Sequence, residues 1–247
     1  MPGDERASRL TLPEDERSLL ASGEMRILGL LPRSSNYTFL VKVAGEGGEG
    51  LAVYKPRAGE TPLWDFPEGT LGLREVAAYE VARALGWPRV PTTLYRDGPE
   101  GPGSVQAFVE FDPAQHSFTL LPGREAEFRR IALFDAVVNN ADRKAGHCLL
   151  ASDGGVFVVD HGVCFHASPK LRTVLWDFAG QRIGDDLLRD VARLDRALAD
   201  GGELSAALTP LLQPREVAAM RRRIAALMRS RTFPPPRGER PYPWPAI

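Results

Sequence analysis

The order of its predicted elements limits most strongly what this chain can fold into. Short apolar runs bounded by Gly and Pro predict strands at 24–31, 37–43, 51–55, 93–95, 104–111, 148–151 and 156–160. Longer amphipathic runs predict helices at 13–21, 71–85, 123–141, 184–199, 203–212 and 214–230. Thr70 is the predicted N-cap of the second helix and Gly86 its stop. The pattern predicts an α+β protein with a β-rich half that contains one helix, followed by a mainly helical half.

The character of the chain changes near residues 110–113, and this sets the expected domain plan. We expect an N-terminal extension at 1–23, a small N-lobe at 24–112, a C-lobe at 113–232 and a tail at 233–247. The tail holds six prolines and is expected to be extended, either disordered or laid along the surface.

Composition excludes several classes of protein. Among 247 residues, 31 Lys and Arg balance 32 Asp and Glu, so the chain is not a globally basic nucleic-acid binder, and we expect no nucleic-acid partner. Two cysteines exclude a disulfide framework and a four-cysteine zinc site. No apolar run approaches the roughly 18 residues of a membrane span. The polar N-terminus does not resemble a signal peptide, and we expect a cytoplasmic protein.

A lysine and a glutamate suggest a phosphate site in the first half. Lys55 ends an apolar strand, where its ammonium group can bind phosphate oxygens at the edge of a cleft. A lysine in such a place needs a carboxylate to orient it, and Glu75, early in the following helix, is the candidate. Both residues are also compatible with ordinary solvated surface charges.

The segment 139–162 carries the strongest functional signal. His147 precedes the first strand of a predicted hairpin and Asp160 ends the second, so antiparallel pairing places them at one edge. Asp142 lies five residues before His147, at the start of the loop. Convergent carboxylates of this kind predict a magnesium–phosphate site. The alternative is a tight turn capped by Asp142 beside a surface hairpin.

The turn Ser34-Ser35-Asn36, between the first two strands, is a weaker candidate. Small polar residues in such a turn can offer backbone N–H groups to a phosphate, although many hairpin loops share this composition.

Together these pieces resemble the phosphatidylinositol 3-/4-kinase-like branch of the protein-kinase-like fold, particularly type II phosphatidylinositol 4-kinases, and an actinobacterial group of that superfamily. Segment 104–110 is similar to the hinge strand of that family, Asp142-Arg143 to the start of its catalytic loop, and 159–162 to its metal-binding D-x-G segment. Segment 171–176 is similar to the stretch that follows. The likeness covers roughly residues 25–180.

The resemblance implies a two-lobed protein-kinase-like fold that binds ATP with magnesium or manganese. Residue by residue, it implies Lys55 on the ATP phosphates, Glu75 as its orienting partner and adenine against the hinge residues, which are Phe108, Val109 and Glu110.

In the second half, the resemblance implies Asp142 as the base or the group that orients the acceptor hydroxyl, and Asp160 as a metal ligand. His147 stands where the family has the second metal ligand, an Asn, and imidazole prefers softer metals than magnesium. Lys144 is placed to meet the γ-phosphate or an acidic substrate, and His161 replaces the aromatic residue of the family's D-F-G.

The expected function is therefore transfer of the ATP γ-phosphoryl group to a hydroxyl of a protein, small molecule or lipid. Within this class, the chain also resembles protein serine kinases of the toxin-kinase kind. The alternative is a pseudokinase-like nucleotide-binding regulatory module without significant catalysis, because His147 departs from the family pattern. A hydrolytic metal site is a further alternative, built from Asp142, His147, Asp160, His161 and His166, but its spacing matches no standard zinc motif.

The C-terminal helix region is rich in arginine, with Arg221, Arg222 and Arg223 in succession. This charge is compatible with peripheral contact to an anionic membrane or an acidic partner. It is equally typical of the solvated face of an amphipathic helix whose other side packs on the core.

Overall fold

The computed structural model describes residues 16–32, 36–46, 48–199 and 201–247. Its strands are β1 (Glu24–Leu30), β2 (Phe39–Gly45), β3 (Gly48–Pro56), β4 (Thr93–Gly98), β5 (Gly101–Ala107), β6 (Cys148–Leu150) and β7 (Val156–Val158). Its α-helices are α1 (Glu16–Ser22), α2 (Leu71–Leu85), α3 (Ser117–Leu120), α4 (Glu125–Val138), α5 (Asp185–Ala197), α6 (Glu203–Leu208) and α7 (Pro214–Ser230). The first part of the helix expected at 13–21 lies outside the described residues.

The first five strands form one antiparallel sheet in the order β1-β2-β3-β5-β4. Alternation along β3 turns Ala52 and Tyr54 into the lobe and leaves Lys55 on the other face. Helix α1 covers the buried face of the sheet with Leu19 and Leu20. The N-lobe thus has a small core of its own, and Lys55 lies on the opposite side of the sheet from that core.

Helix α2 begins where the sequence predicts, but Thr70 does not cap it with its side chain. The Thr70 hydroxyl donates to the carbonyl of Pro67 instead, at 2.7 Å. The carboxylate of Glu60, from the preceding linker, accepts from the backbone N–H groups of Leu71 (3.2 Å) and Gly72 (3.0 Å). A carboxylate satisfies two free donors and also complements the helix dipole, which a hydroxyl does not do.

Helix α2 is fixed to the C-lobe as well as to the sheet. Its residues Ala77 and Val81 belong to the same buried cluster as the C-lobe core. The Arg74 guanidinium, which is fully buried, donates to the Glu216 carboxylate of α7 and to the Cys164 carbonyl, each at 2.7 Å. Since Arg74 and Glu75 are neighbours, this anchor also sets the position of Glu75.

The C-lobe core surrounds α4, which ends earlier than the expected residue 141. Asn139 takes a left-handed conformation (φ 57°) and stops the helix. Its side-chain amide donates to the carbonyls of His166 and Ser168, both at 2.8 Å, and its amide oxygen accepts from the Lys170 N–H. The early stop releases the segment that follows into the loop leading to the β6–β7 hairpin.

Other boundaries also differ from the expectations. Strand β5 ends at Ala107, so the residues expected to form the hinge lie beyond it, and α6 ends at Leu208 instead of continuing to 212. The element order nevertheless confirms the predicted α+β architecture, with a β-rich lobe that contains α2 and a mainly helical lobe.

The proline-rich tail runs along the C-lobe surface. The Pro241 carbonyl accepts from the Thr173 N–H and from the Trp176 indole, each at 3.1 Å. The Ala246 carbonyl accepts from the Ala145 N–H at 2.8 Å. Of the two fates considered for the tail, the structure has the surface-bound one, although the Trp244 side chain itself stays exposed.

Helix α7 is amphipathic and buries Met220, Ile224 and Leu227 in the C-lobe core. Arg221 and Arg222 are exposed, and Arg221 pairs with Asp195 at 3.2 Å. The apolar side of this helix is therefore used for packing. Within the described part of the chain, no helix is long and apolar enough to cross a membrane.

Candidate active site

A cavity of about 350 Å³ lies between the two lobes, and five of the predicted functional residues line it. Lys55 and Asn36 line it from the N-lobe and Glu75 from α2, while Asp142 and Asp160 line it from the C-lobe. These residues are far apart in the sequence. The fold brings them to one cleft, as the sequence analysis expects.

Lys55 joins the two sides of the cleft. Its ammonium nitrogen lies 2.5 Å from Oε1 of Glu75 and 3.1 Å from Oδ1 of Asp160. Burial works against the charge of Lys55, but the two carboxylates outweigh it and raise the pKa of the lysine. Lys55 is therefore a fixed positive charge at any physiological pH.

The two carboxylates differ in their surroundings. Glu75 is almost fully buried, and burial raises its pKa despite the neighbouring lysine. Its Oε2 is buried without a hydrogen-bond partner among the described residues. The side chain of Asp160 is 47% exposed, and the positive charge of Lys55 holds its pKa well below the usual range. Asp160 thus presents a permanent carboxylate to the cleft, whereas Glu75 serves the lysine.

Asp160 has a backbone conformation that is uncommon outside glycine, with φ at 63°. Asp and Asn tolerate this left-handed region better than most residues, and such conformations concentrate at functional sites. It directs the carboxylate toward Lys55 on one side and His147 on the other, where Nε2 lies 3.2 Å from Oδ2.

His147 is a neutral partner of Asp160. Burial lowers the pKa of its imidazole to about 4, although Asp160 pulls in the other direction. Its Nδ1 accepts from the Lys144 N–H at 3.4 Å, so Nε2 carries the proton and donates to Asp160. In this arrangement the imidazole orients the carboxylate, and Nε2 would have to give up its proton before it could ligate a metal.

Asp142 and Lys144 lie in the same loop and pair with each other at 3.2 Å. Desolvation raises the pKa of Asp142, and Lys144 opposes that shift. A raised pKa makes a carboxylate a better proton acceptor. Asp142 lines the cavity, whereas Lys144 is among the described residues that do not.

The loop is held from behind by a buried ion pair that sequence reasoning did not identify. Arg143 binds Asp135 of α4 through Nε and Nη2, both at 2.9 Å, and both side chains are fully buried. Asn140 donates to the same carboxylate at 3.0 Å. Arg143 also donates to the Val159 carbonyl at 2.9 Å, next to Asp160. The pair therefore ties α4, the loop and the end of the hairpin together.

His161, which replaces an aromatic residue of the family pattern, belongs to this support. Its Nε2 lies 2.7 Å from Nη2 of Arg143 and accepts from it, because a guanidinium can only donate. Burial lowers the pKa of His161 well below the usual value, so the ring is neutral. The ring also meets Phe134 edge-on at 5.6 Å. His161 thus packs as an aromatic group while hydrogen-bonding as an imidazole.

Other predicted residues lie at the margins or beyond. Ser34 and Ser35 fall outside the described residues; Asn36 lines the cavity and accepts from the Thr61 N–H at 2.7 Å. The hinge residues Phe108, Val109 and Glu110 follow β5, between the lobes, but are not among the described residues that line the cavity. Adenine binding there stays a prediction.

The linker after β3 supplies a wall that the sequence did not suggest. Trp64 is 94% exposed and lines the cavity. Lys170 lies 5.2 Å from its ring centroid and pairs with Asp65 at 2.5 Å. These contacts join the linker to the C-lobe across the mouth of the cleft. Only the position of the linker between Lys55 and Glu75 hinted at this role.

The described residues form no self-sufficient metal centre. Among residues 16–32, 36–46, 48–199 and 201–247, no group of three or more His, Cys, Asp and Glu side chains is arranged to hold a metal ion. Nothing in the described site therefore favours the hydrolytic metal centre considered above.

Comparison with known proteins gives the family and the fold. No family model matches the chain. Protein Rv2133c from Mycobacterium tuberculosis (strain ATCC 25618 / H37Rv) is 42% identical over 277 positions, which cover 96% of this chain and 98% of that protein. The chain belongs to the Rv2133c family.

One structural relative of the chain is a kinase. The crystal structure of the Helicobacter pylori proinflammatory kinase CtkA has a TM-score of 0.52, with 12% identity, and covers 85% of this chain and 93% of its own. A likeness at this identity establishes the fold alone, so this chain has a two-lobed kinase-like fold. The narrower resemblance to phosphatidylinositol 3-/4-kinases and their type II enzymes is not supported by either comparison.

Proposed function

We propose that this member of the Rv2133c family is a kinase-like phosphotransferase that transfers the γ-phosphoryl group of ATP to a hydroxyl acceptor. The observation that carries the proposal is the contact of Lys55 with both Glu75 (2.5 Å) and Asp160 (3.1 Å) at the interlobe cavity. A strand lysine paired with a helix glutamate, beside a metal-binding aspartate, is the arrangement that protein kinases need for ATP.

Each charged group has a role that follows from its surroundings. Lys55 binds phosphate oxygens as a fixed cation, and Glu75, which is buried away from solvent, holds the lysine in place. Asp142, with its raised pKa, orients the acceptor hydroxyl and accepts its proton. Lys144, beside Asp142, compensates negative charge near the γ-phosphate. Catalysis by such a site depends mainly on positioning and on charge stabilisation.

The donors fit magnesium or manganese brought by the nucleotide. Magnesium in such sites takes one or two carboxylates and completes its shell with phosphate oxygens and water. Asp160 is half exposed and permanently ionised, which suits it as that carboxylate. When bound, the metal neutralises phosphate charge. His147 is proposed as the second ligand, and it fits manganese better than magnesium.

A regulatory, non-catalytic nucleotide-binding module is the second candidate. The observation in its favour is the hydrogen bond between neutral His147 and Asp160, which occupies the carboxylate that the metal needs. His147→Asn tests the role of this contact. In a catalytic site the substitution raises magnesium-supported activity relative to manganese; an unchanged metal preference argues that His147 is not a ligand.

The deciding experiment is a calorimetric titration with a non-hydrolysable ATP analogue in magnesium, in manganese and in neither. We expect binding that needs a metal and that weakens at least tenfold in Lys55→Met. Lys42→Met is the matched control, because Lys42 is a strand lysine that pairs with Glu49 away from the cleft. Absence of binding in all three conditions contradicts both candidates.

Transfer itself is measured as ADP formation with protein and small-molecule hydroxyl acceptors and with lipid vesicles. Asp142→Asn is expected to abolish it while the ATP analogue still binds. Metal-dependent binding without any ADP formation assigns the chain to the regulatory class. We place the activity in the cytoplasm, the compartment that supplies ATP.

A further inference from the structure

The C-lobe contains a second cavity, of about 650 Å³, larger than the cleft. It lies between α7, the end of α4, the segment 169–176 and the tail. Among the described lining residues, only Arg172 is shared with the cleft cavity. The site proposed above therefore does not account for this cavity.

The lining of the second cavity is strongly cationic. Its charged residues are Lys170, Arg172, Arg223, Arg237 and Arg240 against a single carboxylate, Glu239. The chain as a whole has a net charge of −1, so this concentration is local. Lys170 is neutralised by Asp65, but in the described structure no carboxylate pairs with Arg172, Arg237 or Arg240. An excess of unpaired cations around a cavity attracts an anion.

The Arg223 guanidinium differs from a surface arginine, because one of its nitrogens is buried without a hydrogen-bond partner among the described residues. Its Nε donates to the Val137 carbonyl at 2.9 Å and its Nη1 to the His166 carbonyl at 3.4 Å, both neutral groups. Its Nη2 is buried and has no hydrogen-bond partner in the described residues. Burial lowers the pKa of Arg223 to about 10. A desolvated guanidinium without a counter-ion is costly unless an anion meets it.

The cavity also has an apolar part. Leu171, Trp176 and Leu227 line it together with prolines of the tail. Trp176 is oriented by the hydrogen bond from its indole to the Pro241 carbonyl, at 3.1 Å. Apolar walls with a few placed polar groups are typical of small-molecule sites. The occupant is therefore expected to combine an anionic group with an apolar body.

Arg172 lies on the side of the second cavity that adjoins the cleft. Its N–H donates to the Asn140 carbonyl at 2.9 Å, and its carbonyl accepts from the Arg143 N–H at 3.0 Å. Both bonds fix its backbone beside the loop that carries Asp142. The tail closes the opposite wall with Arg237 and Arg240.

We propose that this cavity binds a phosphate monoester with an apolar body, its phosphate held by Arg172, Arg237 and Arg240, with the positive charge of Arg223 adding to the attraction. Guanidinium groups bind phosphate through paired N–H donors, which gives both strength and orientation. The same chemistry belongs to a soluble metabolite and to a lipid headgroup. The proposal does not depend on ATP binding in the cleft.

The probe is hexyl phosphate, titrated calorimetrically into the full chain. Inorganic phosphate lacks the apolar part and hexanol lacks the charge, so we expect both to bind at least tenfold more weakly. Arg172→Gln and the double variant Arg237→Gln/Arg240→Gln are expected to weaken hexyl phosphate at least tenfold. Arg222→Gln, on the exposed face of α7, is the matched control and is expected to bind as the unmodified chain does.

The proposal is overturned if hexyl phosphate does not bind, or if the arginine variants bind it as tightly as the unmodified chain does. Loss of binding in Lys55→Met also overturns it, because that result would place the anion in the cleft. The indole N–H resonance of Trp176 is expected to shift on binding, and an unshifted resonance also contradicts the assignment.

Vesicles of phosphatidylcholine with and without phosphatidic acid identify the source. Arginine-dependent sedimentation with phosphatidic acid supports a lipid headgroup. Hexyl phosphate binding without sedimentation supports a soluble monoester. The ATP-analogue titration, run on the same variants, separates this proposal from the kinase one, since either site can fail while the other still binds.

Discussion

Asp135 and Asp160 are both aspartates of the C-lobe, and each lies beside a positively charged side chain, yet the structure gives them opposite roles. Asp135 is fully buried, and Arg143 and Asn140 bind its oxygens. Asp160 is 47% exposed and shares its carboxylate between Lys55 and His147 at longer distances. A saturated carboxylate supports the fold, whereas one with accessible lone pairs can receive a ligand. A structural carboxylate differs from a functional one in its hydrogen-bond partners and its solvent exposure, more than in its residue type.

The largest expected effect comes from Asp135→Asn. Arg143 cannot lose its proton, so the substitution leaves a buried charge without compensation. We expect a loss of about 3–5 kcal/mol in the free energy of unfolding, measured by urea denaturation. Asp153→Asn breaks the exposed pair with Arg89 and is the control, with an expected loss below about 1 kcal/mol. Equal losses in the two variants would remove the distinction drawn above.

The pH dependence of His147 tests the partner of the exposed aspartate. The pKa of His147 is about 4 in the folded chain against the ordinary histidine value of 6.5, so below pH 6.5 the unfolded chain binds a proton that the folded chain does not. Stability is therefore complete above that pH and falls between 6.5 and 4, by about 3 kcal/mol for this group.

His147→Asn removes this contribution and leaves that of His161, which acts in the same direction. The difference in unfolding free energy between the two proteins should change across the window from pH 6.5 to 4 and be flat above it. A difference that does not vary with pH contradicts a buried neutral His147.

Asp160→Asn is the counterpart of the first prediction. Asn tolerates the left-handed backbone at this position, and the side chain is half exposed, so we expect a stability change within about 1 kcal/mol. The metal-dependent part of ATP-analogue binding should weaken at least tenfold, about 1.4 kcal/mol. Unchanged affinity in magnesium and manganese would show that Asp160 is not the metal-binding carboxylate.

The contrast between these aspartates also marks what the sequence can reveal. Asp160 was identified because it closes the apolar run 156–160, the second strand of a predicted hairpin whose first strand begins beside His147, a local pattern that fixes proximity. Lys55 and Glu75 were identified by the same kind of local position, at a strand end and an early helical turn. Element order was sufficient for the α+β plan of a β-rich half followed by a helical half, whereas the two-lobed kinase-like fold was implied by the family resemblance.

The ion pair between Asp135 and Arg143 was not predicted, because the sequence around an aspartate inside a helix and an arginine in a loop does not indicate that the two side chains pair. The same holds for Arg74, whose partner Glu216 lies 142 residues away. The end of β5 and the capping of α2 were also misjudged, since both depend on tertiary contacts. The second cavity requires the tail to fold back on the C-lobe, and periodicity carries no information about that.

Glu60 is expected to show the smallest effect, because it is neither saturated by a cation nor deeply buried. Its carboxylate caps α2 through Leu71 and Gly72. Glu60→Ala should lower the unfolding free energy by about 1 kcal/mol, and Glu60→Gln by less, since the amide oxygen still accepts from one of the two backbone N–H groups, while the second bond and the charge–dipole attraction are lost. Glu68→Ala, exposed in the same linker, is the control for chemical denaturation. If Glu60→Ala lowered the free energy of unfolding as much as Asp135→Asn, the helix cap would contribute as much to stability as the buried Asp135–Arg143 pair. Solvent exposure would then no longer distinguish the two classes of carboxylate.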